Sequence, residues 1–342
     1  MRLAAFAAAG IVLAGLAALL AGPGGPAGAQ AEASDAPADS PWFSSCAGLA
    51  PTCGPAGTSS CCDSLPVPGG TFYRGYDVGA DSAYTDTTNP ATISSFRLDT
   101  YEVTVGRFRQ FVNAGLGTRQ NPPEPGAGAH PQIQNSGWDS AWTASLAADT
   151  AELIAGFNCS SDTRWTWTDM PGANESLPIS CVNWAEAMAF CAWDGGYLPT
   201  EAELNYAAVG GDEQRAYPWS SPPSSLTIDC SYANYMDGTY CVSPPDGALN
   251  RVGSESPRGD GRWGQADLAG NVWEWTLDWL VTPYSNPCND CAELTAGSGR
   301  VFRGGIFNYF SVWLRGGYRG LNSGPTGTDF NIGFRCARNS NQ

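Results

Sequence analysis

The residues best suited to redox or metal chemistry in this chain are its twelve cysteines, and one pair, Cys288 and Cys291 in "CNDC", has the spacing of a redox dithiol. Such a pair becomes reactive when neighbouring cations or a helix N-terminus lower a thiol pKa. Here Asp290 and Glu293 lie close and no Lys or His is local, so the pair reads as a structural disulfide. An even number of cysteines, the first at Cys46, suits a disulfide framework in an exported chain. All 17 cationic residues are Arg, which removes Schiff-base chemistry. The single histidine, His130, excludes any site built from several histidines, including the two-His-one-carboxylate iron centre. In "PEPGAGAHPQ", His130 is expected in an exposed loop rather than as a catalytic base. A formal charge of −16 argues against nucleic acid as a partner, since no broad basic face is available. The segment "GRVFRGGIFNYFSVWLRGGYRGLNSGPTGTDFNIGFRCAR", from Gly299 to Arg338, crowds aromatics, arginines and glycines as binding surfaces do. It holds no obvious nucleophile and no cysteine before Cys336.

The elements that must position these groups are short. Arg2, an apolar Ala/Leu/Val run and the small-residue triplet Ala29-Gln30-Ala31 make residues 1–31 a secretory signal peptide. The mature chain is then expected to have no membrane span and to be secreted, periplasmic or at the cell surface. Residues 32–66 read as a Cys-rich leader, with Cys46, Cys53, Cys61 and Cys62 bridged among themselves or to the main body, because so short a segment cannot bury a core. In "YEVTVGRFRQFVNAG", Thr104 caps a helix that buries Val105, Phe108, Phe111 and Val112 and stops at Gly115. Asn183 with Glu186, and Thr200 with Glu203, have capping-box spacing. "NVWEWTLDW" alternates strictly and reads as a strand, with Trp273, Trp275, Leu277 and Trp279 on one face. Capped helices, short strands and 42 Gly with 25 Pro predict a loop-rich α+β fold with a large aromatic core.

In order along the chain, "VPGGTFYRG", "FRLDTYEVTVGRFRQFV", "PISCVNWAEAMAFCAWDGGYLPTEAELNYAAVGG", "YPW", "DLAGNVWEWTLDW", "RVFRGG" and "NIGFRCAR" resemble the formylglycine-generating enzyme (sulfatase-modifying factor) family. The resemblance covers residues 67–338 and leaves 339–342 as a tail. It implies a disulfide-bonded, C-type-lectin-like variant of the α+β class. Members that modify sulfatases oxidise a client cysteine with molecular oxygen, using copper held by two cysteines between the RGG and GFRC blocks. Soft Cu(I) needs thiolates there. This chain has none between Ile306 and Gly333, so copper is not expected, and the alternative of a formylglycine-generating or other oxygen-dependent oxidase acting on protein cysteine is the weaker reading.

The resemblance also implies structural calcium. One site maps onto Asp267, Gly270, Val272 and Glu274, and a second onto Asn234 and Tyr235 with Asp246 and the Ala248 carbonyl, all hard oxygen donors. It implies a Cys191–Cys336 bridge as well; Cys159 with Cys181 and Cys230 with Cys241 are paired only by proximity. What remains is a binding module. Its ligand surface is expected over Phe307, Asn308, Tyr309, Phe310, Trp313, Arg315 and Arg319, with some aromatics turned inward to pin the loop. Arg303, Arg315 and Arg319 would form a positive zone for an acidic protein, peptide or glycan ligand. Composition leaves the oligomeric state open.

Overall fold

A computed structural model describes residues 43–342, apart from 161–163, 243–247 and 322–323. The expected signal peptide therefore lies outside the described residues, as does Asp246. Three small sheets carry the strands. Strands β1 (Ser64–Val67), β4 (Phe96–Asp99) and β10 (Ala337–Asn339) form one, in the order β1-β4-β10. Strands β2 (Gly70–Tyr73), β3 (Pro90–Ile93) and β6 (Cys288–Asn289) form the second. The third has the order β8-β7-β5-β9, from β5 (Trp273–Trp279), β7 (Arg300–Arg303), β8 (Gly320–Leu321) and β9 (Ile332–Gly333). No helix among the described residues is long and apolar enough to cross a membrane.

Local signals place the helices. Thr104 accepts the Arg107 amide and starts α1 (Val105–Asn113), and Gly115 leaves it with φ 74°. Both capping boxes form: Asn183 with Glu186 opens α3 (Trp184–Trp193) and Thr200 with Glu203 opens α4 (Glu201–Ala208), while Asp149 caps α2 (Thr150–Gly156). Between α1, α3 and β5 sits the aromatic core, where Phe108 stacks on Phe190 at 5.5 Å and meets Phe334 edge-on. Truncating such a buried ring typically costs about 3–5 kcal/mol. The indole N–H groups of Trp184 and Trp275 donate to Thr276 O and Val182 O, whereas those of Trp138 and Trp167 are buried without a partner.

The strand β5 alternates as expected, yet both of its faces are buried: β7 and β9 pair with its edges, and its acidic side meets the start of α4 and Arg335. Glu274, Thr276 and Asp278 on that side are satisfied by Arg335, Val301 O and the amides of Glu201 and Glu293. All twelve cysteines are paired, as Cys46–Cys62, Cys53–Cys61, Cys159–Cys181, Cys191–Cys336, Cys230–Cys241 and Cys288–Cys291. The four leader cysteines thus bridge among themselves. Their segment still packs on the body: the Ser45 amide donates to Asp194 at 2.7 Å, and Cys53 and Cys61 join a small cluster with Tyr101 and Val252. Asp194 and Asp99 in turn hold the buried guanidinium groups of Arg107 and Arg338.

His130 corrects an expectation. It is 5% exposed, its Nε2 is 3.1 Å from Glu203 Oε1, and its ring packs on Tyr197. The glycine-rich loop folds inward because that buried carboxylate on α4 supplies a partner.

Candidate functional site

The segment following β7 turns on two glycines, Gly304 at φ 100° and Gly305 at φ 77°. A Cβ on Gly305 would lie 2.8 Å from the Leu314 side chain, so the turn needs glycine on both counts. Ile306 and Phe307 then plunge into the interior, and the Phe307 amide donates to Asn271 O. Tyr309 and Phe310 emerge, followed by a 3-10 turn, Ser311–Leu314, that exposes Val312 and Trp313 and buries Leu314. Exposure is 43% for Tyr309, 50% for Phe310, 42% for Val312 and 37% for Trp313, making a contiguous apolar platform on one short stretch. Trp273 of β5 underlies it, with ring centroids 6.2 Å from Tyr309 and 5.4 Å from Tyr318; Trp313 meets Tyr318 edge-on at 4.8 Å. The rings are braced by one another and by the sheet. Asn308 Oδ1 beside them is buried without a hydrogen-bond partner.

Two parts of the expected ligand surface are corrected. Phe307 is fully buried, packed with Leu249 and Val272 and edge-on to Phe330, so it pins the loop and cannot touch a ligand. The arginines do not make a free positive zone. Arg315 is buried in ion pairs with Asp77 and with Asp81, the latter at 2.8 Å. Arg303 and Arg319 share Glu201 at 2.7 and 2.6 Å, and Arg303 also donates to the Tyr284 hydroxyl and Tyr318 O. Each charge is spent on holding the loop, since an unpaired buried guanidinium would cost more than the pairing.

The calcium candidates lie just beyond. Before β5 the chain passes through Asp267 (φ 55°), Gly270 (φ 96°) and Asn271 (φ 60°). Asp267 accepts the Gly253 amide, and Glu274 forms a fork with Arg335, both contacts at 2.7 Å. Sequence reading missed Glu102, a buried carboxylate that accepts Asn271 Nδ2 at 2.7 Å and the Val272 amide at 3.3 Å; only its place before the capped helix α1 marked it. Burial, then the charges of Asp267 and Glu274, push the Glu102 carboxyl well up, and burial pushes Asp267 up to about 6. Three buried carboxylates thus repel one another against a single cation, Arg335, which forks both oxygens of Glu274. Among the described residues no three His, Cys, Asp or Glu side chains converge to hold an ion alone, so carbonyls such as those of Gly270 and Val272 would be needed. Asn234 donates to Ala248 O at 2.8 Å, and its own carbonyl accepts the Asn271 amide, which links the two candidate sites. Tyr235 is buried and its carbonyl accepts the Cys241 amide.

A family profile described as "Sulfatase-modifying factor enzyme 1-like domain" matches residues 50–340, well over half of the chain. The chain belongs to that family. Within the sulfatase-modifying factor family it is 30% identical, over 297 residues, to a protein named formylglycine-generating enzyme in Streptomyces coelicolor, covering 80% of this chain and 88% of that one. It is 27% identical, over 292 residues, to a Bos taurus protein named "Inactive C-alpha-formylglycine-generating enzyme 2", covering 80% and 87%. A solved structure of PvdO from Pseudomonas aeruginosa superposes with a TM-score of 0.52 at 20% identity, over 82% of this chain and 95% of that one. The fold is thus the loop-rich, disulfide-bonded, C-type-lectin-like α+β variant expected of a sulfatase-modifying factor domain. Its six disulfides fit an oxidising, non-cytosolic compartment.

Proposed function

We propose that this chain is an exported, calcium-stabilised binding protein that takes a protein or peptide on the Tyr309–Trp313 platform and does not convert cysteine to formylglycine. The observation that carries the reading is the platform itself: four exposed apolar side chains on the segment between the RGG and GFRC blocks. Exposed aromatics braced from behind lose little freedom on contact, which is why Tyr and Trp dominate binding hot spots. The absence of any free cysteine supports the second half, because the copper site of the active relatives' kind requires thiolates and every cysteine sulfur is committed to a disulfide. With Arg303, Arg315 and Arg319 already paired, the ligand is recognised by apolar burial, and an acidic character is not what selects it. Calcium would act on structure, ordering the loops around Asp267 and Asn234 by supplying charge that this sparse sheet lacks.

Peptide and glycan arrays probed with the full chain test this. Trp313→Ala and Phe310→Ala should each weaken capture about thirtyfold, a hot-spot loss of ~2 kcal/mol; Tm should hold in Phe310→Ala, whose ring is half exposed, and fall by no more than about 3 °C in Trp313→Ala. Equal loss of capture and Tm would mark the rings as structural, and capture confined to glycans would reassign the ligand class. A cysteine peptide of the CxPxR type, incubated with the protein under oxygen and then reduced, should keep its mass; a formylglycine product would refute the reading.

A further inference from the structure

We propose that Cys288–Cys291 is a thiol–disulfide exchange site whose Cys291 thiolate is stabilised by Arg74, and that it oxidises a dithiol substrate. This rests on a different part of the molecule from the aromatic platform. Cys288 is buried on the edge strand β6, whereas Cys291 is half-buried and lines a cavity of about 170 Å³ together with Arg74, Tyr284, Glu293 and Arg319. The buried Arg74 donates from Nη1 to Cys291 Sγ at 3.4 Å. Its guanidinium is fixed by Ser285 O and Asn286 Oδ1, both at 2.8 Å, and stacks over Tyr284 at 4.6 Å.

The acids that argue against reactivity in the sequence are engaged elsewhere. Asp290 accepts the amide and hydroxyl of Ser94, both at 2.6 Å, and Glu293 accepts from Ser285 Oγ and the Thr295 amide. Asp278, across the same cavity, accepts the amides of Glu201 and Glu293. The charge in contact with the sulfur is therefore a cation, the condition that favours thiolate. This bridge also spans 3 residues, against 8 to 145 for the others. Because the chain-entropy gain of a crosslink grows with the logarithm of its loop, opening this one costs the fold least.

The step balances without an added oxidant. A substrate thiolate attacks Cys291 Sγ, the S–S bond breaks, and Cys288 leaves as a thiolate that takes a proton from the medium. The second substrate thiolate then attacks its own sulfur in the mixed disulfide and releases Cys291 as the thiolate held by Arg74. The substrate dithiol loses two electrons and two protons and becomes a disulfide; Cys288 and Cys291 are reduced.

The folded full chain is equilibrated in glutathione redox buffers at pH 7, trapped, differentially alkylated and mapped by peptide mass. Cys288 and Cys291 should open in buffers that leave the other ten cysteines oxidised, and a synthetic two-cysteine peptide should then be oxidised one-for-one by the native protein. Opening only together with the other bridges, or no peptide oxidation, overturns the proposal. In Cys288→Ser, the pH profile of Cys291 alkylation reports its thiol. Adding Arg74→Gln should raise the midpoint by at least one pKa unit, about tenfold less thiolate at pH 7, and Arg74→Lys should restore it. An unmoved midpoint in a folded Arg74→Gln variant overturns the role of Arg74.

Discussion

Glu186 offers the sharpest test of the electrostatics. It is the N3 residue of α3, nearly fully buried, and its Oε2 accepts the Asn183 amide at 2.9 Å. Burial pushes its carboxyl up to about 8, opposed only by that one hydrogen bond. The unfolded value lies near 4.3, so holding Glu186 ionised costs ~5 kcal/mol at 1.36 kcal/mol per pKa unit. Because the folded pKa is raised, this stability is fully present below pH 4.3 and is lost as pH climbs through 8. Glu186→Gln keeps an oxygen for the Asn183 amide and removes the charge. Denaturant unfolding with disulfides intact should show the variant up to about 5 kcal/mol more stable than the parent at pH 8.5 and within ~0.5 kcal/mol of it at pH 4.5. No gain at pH 8.5 would refute the assignment of a buried, weakly compensated carboxyl.

Two further outcomes are expected. Cys191–Cys336 closes a 145-residue span, for which the chain-entropy relation gives ~5 kcal/mol; Cys336→Ser should lower Tm by about 10 °C in calorimetry, and a change under ~2 °C would show that packing alone holds β10. Calcium at a hundredfold excess over its Kd should raise the Tm of chelator-treated protein by about 5 °C, from ~2.7 kcal/mol of linkage, and Asp267→Ala should abolish the response; a flat calcium titration would remove the ion from the account.

How far the sequence disclosed these features depended on how far apart the partners lie. The caps at Thr104, Asn183 and Thr200 are written within three residues of their targets, and each formed as expected. The strand β5 was legible from alternation, but its second buried face was not, because Arg335 and Val301, which satisfy Glu274 and Thr276, come from elsewhere in the chain. His130 depends on Glu203, 73 residues on, and Arg315 on Asp77 and Asp81, more than 230 residues back. A count of charges along a segment cannot reveal such pairing, so an apparent cationic surface became an internal brace. Composition likewise could not tell Phe307 from Tyr309 and Phe310, since the glycine turn and the 3-10 turn decide which rings face solvent.

Strand β4 is clasped on both sides by elements from opposite parts of the sequence, with Ser64 opposite Asp99 at one end and Asn339 opposite Phe96 at the other. Tension applied at Ser64 and Asn339 would therefore run along the strands and load the crosswise hydrogen bonds together, in shear, instead of peeling them singly.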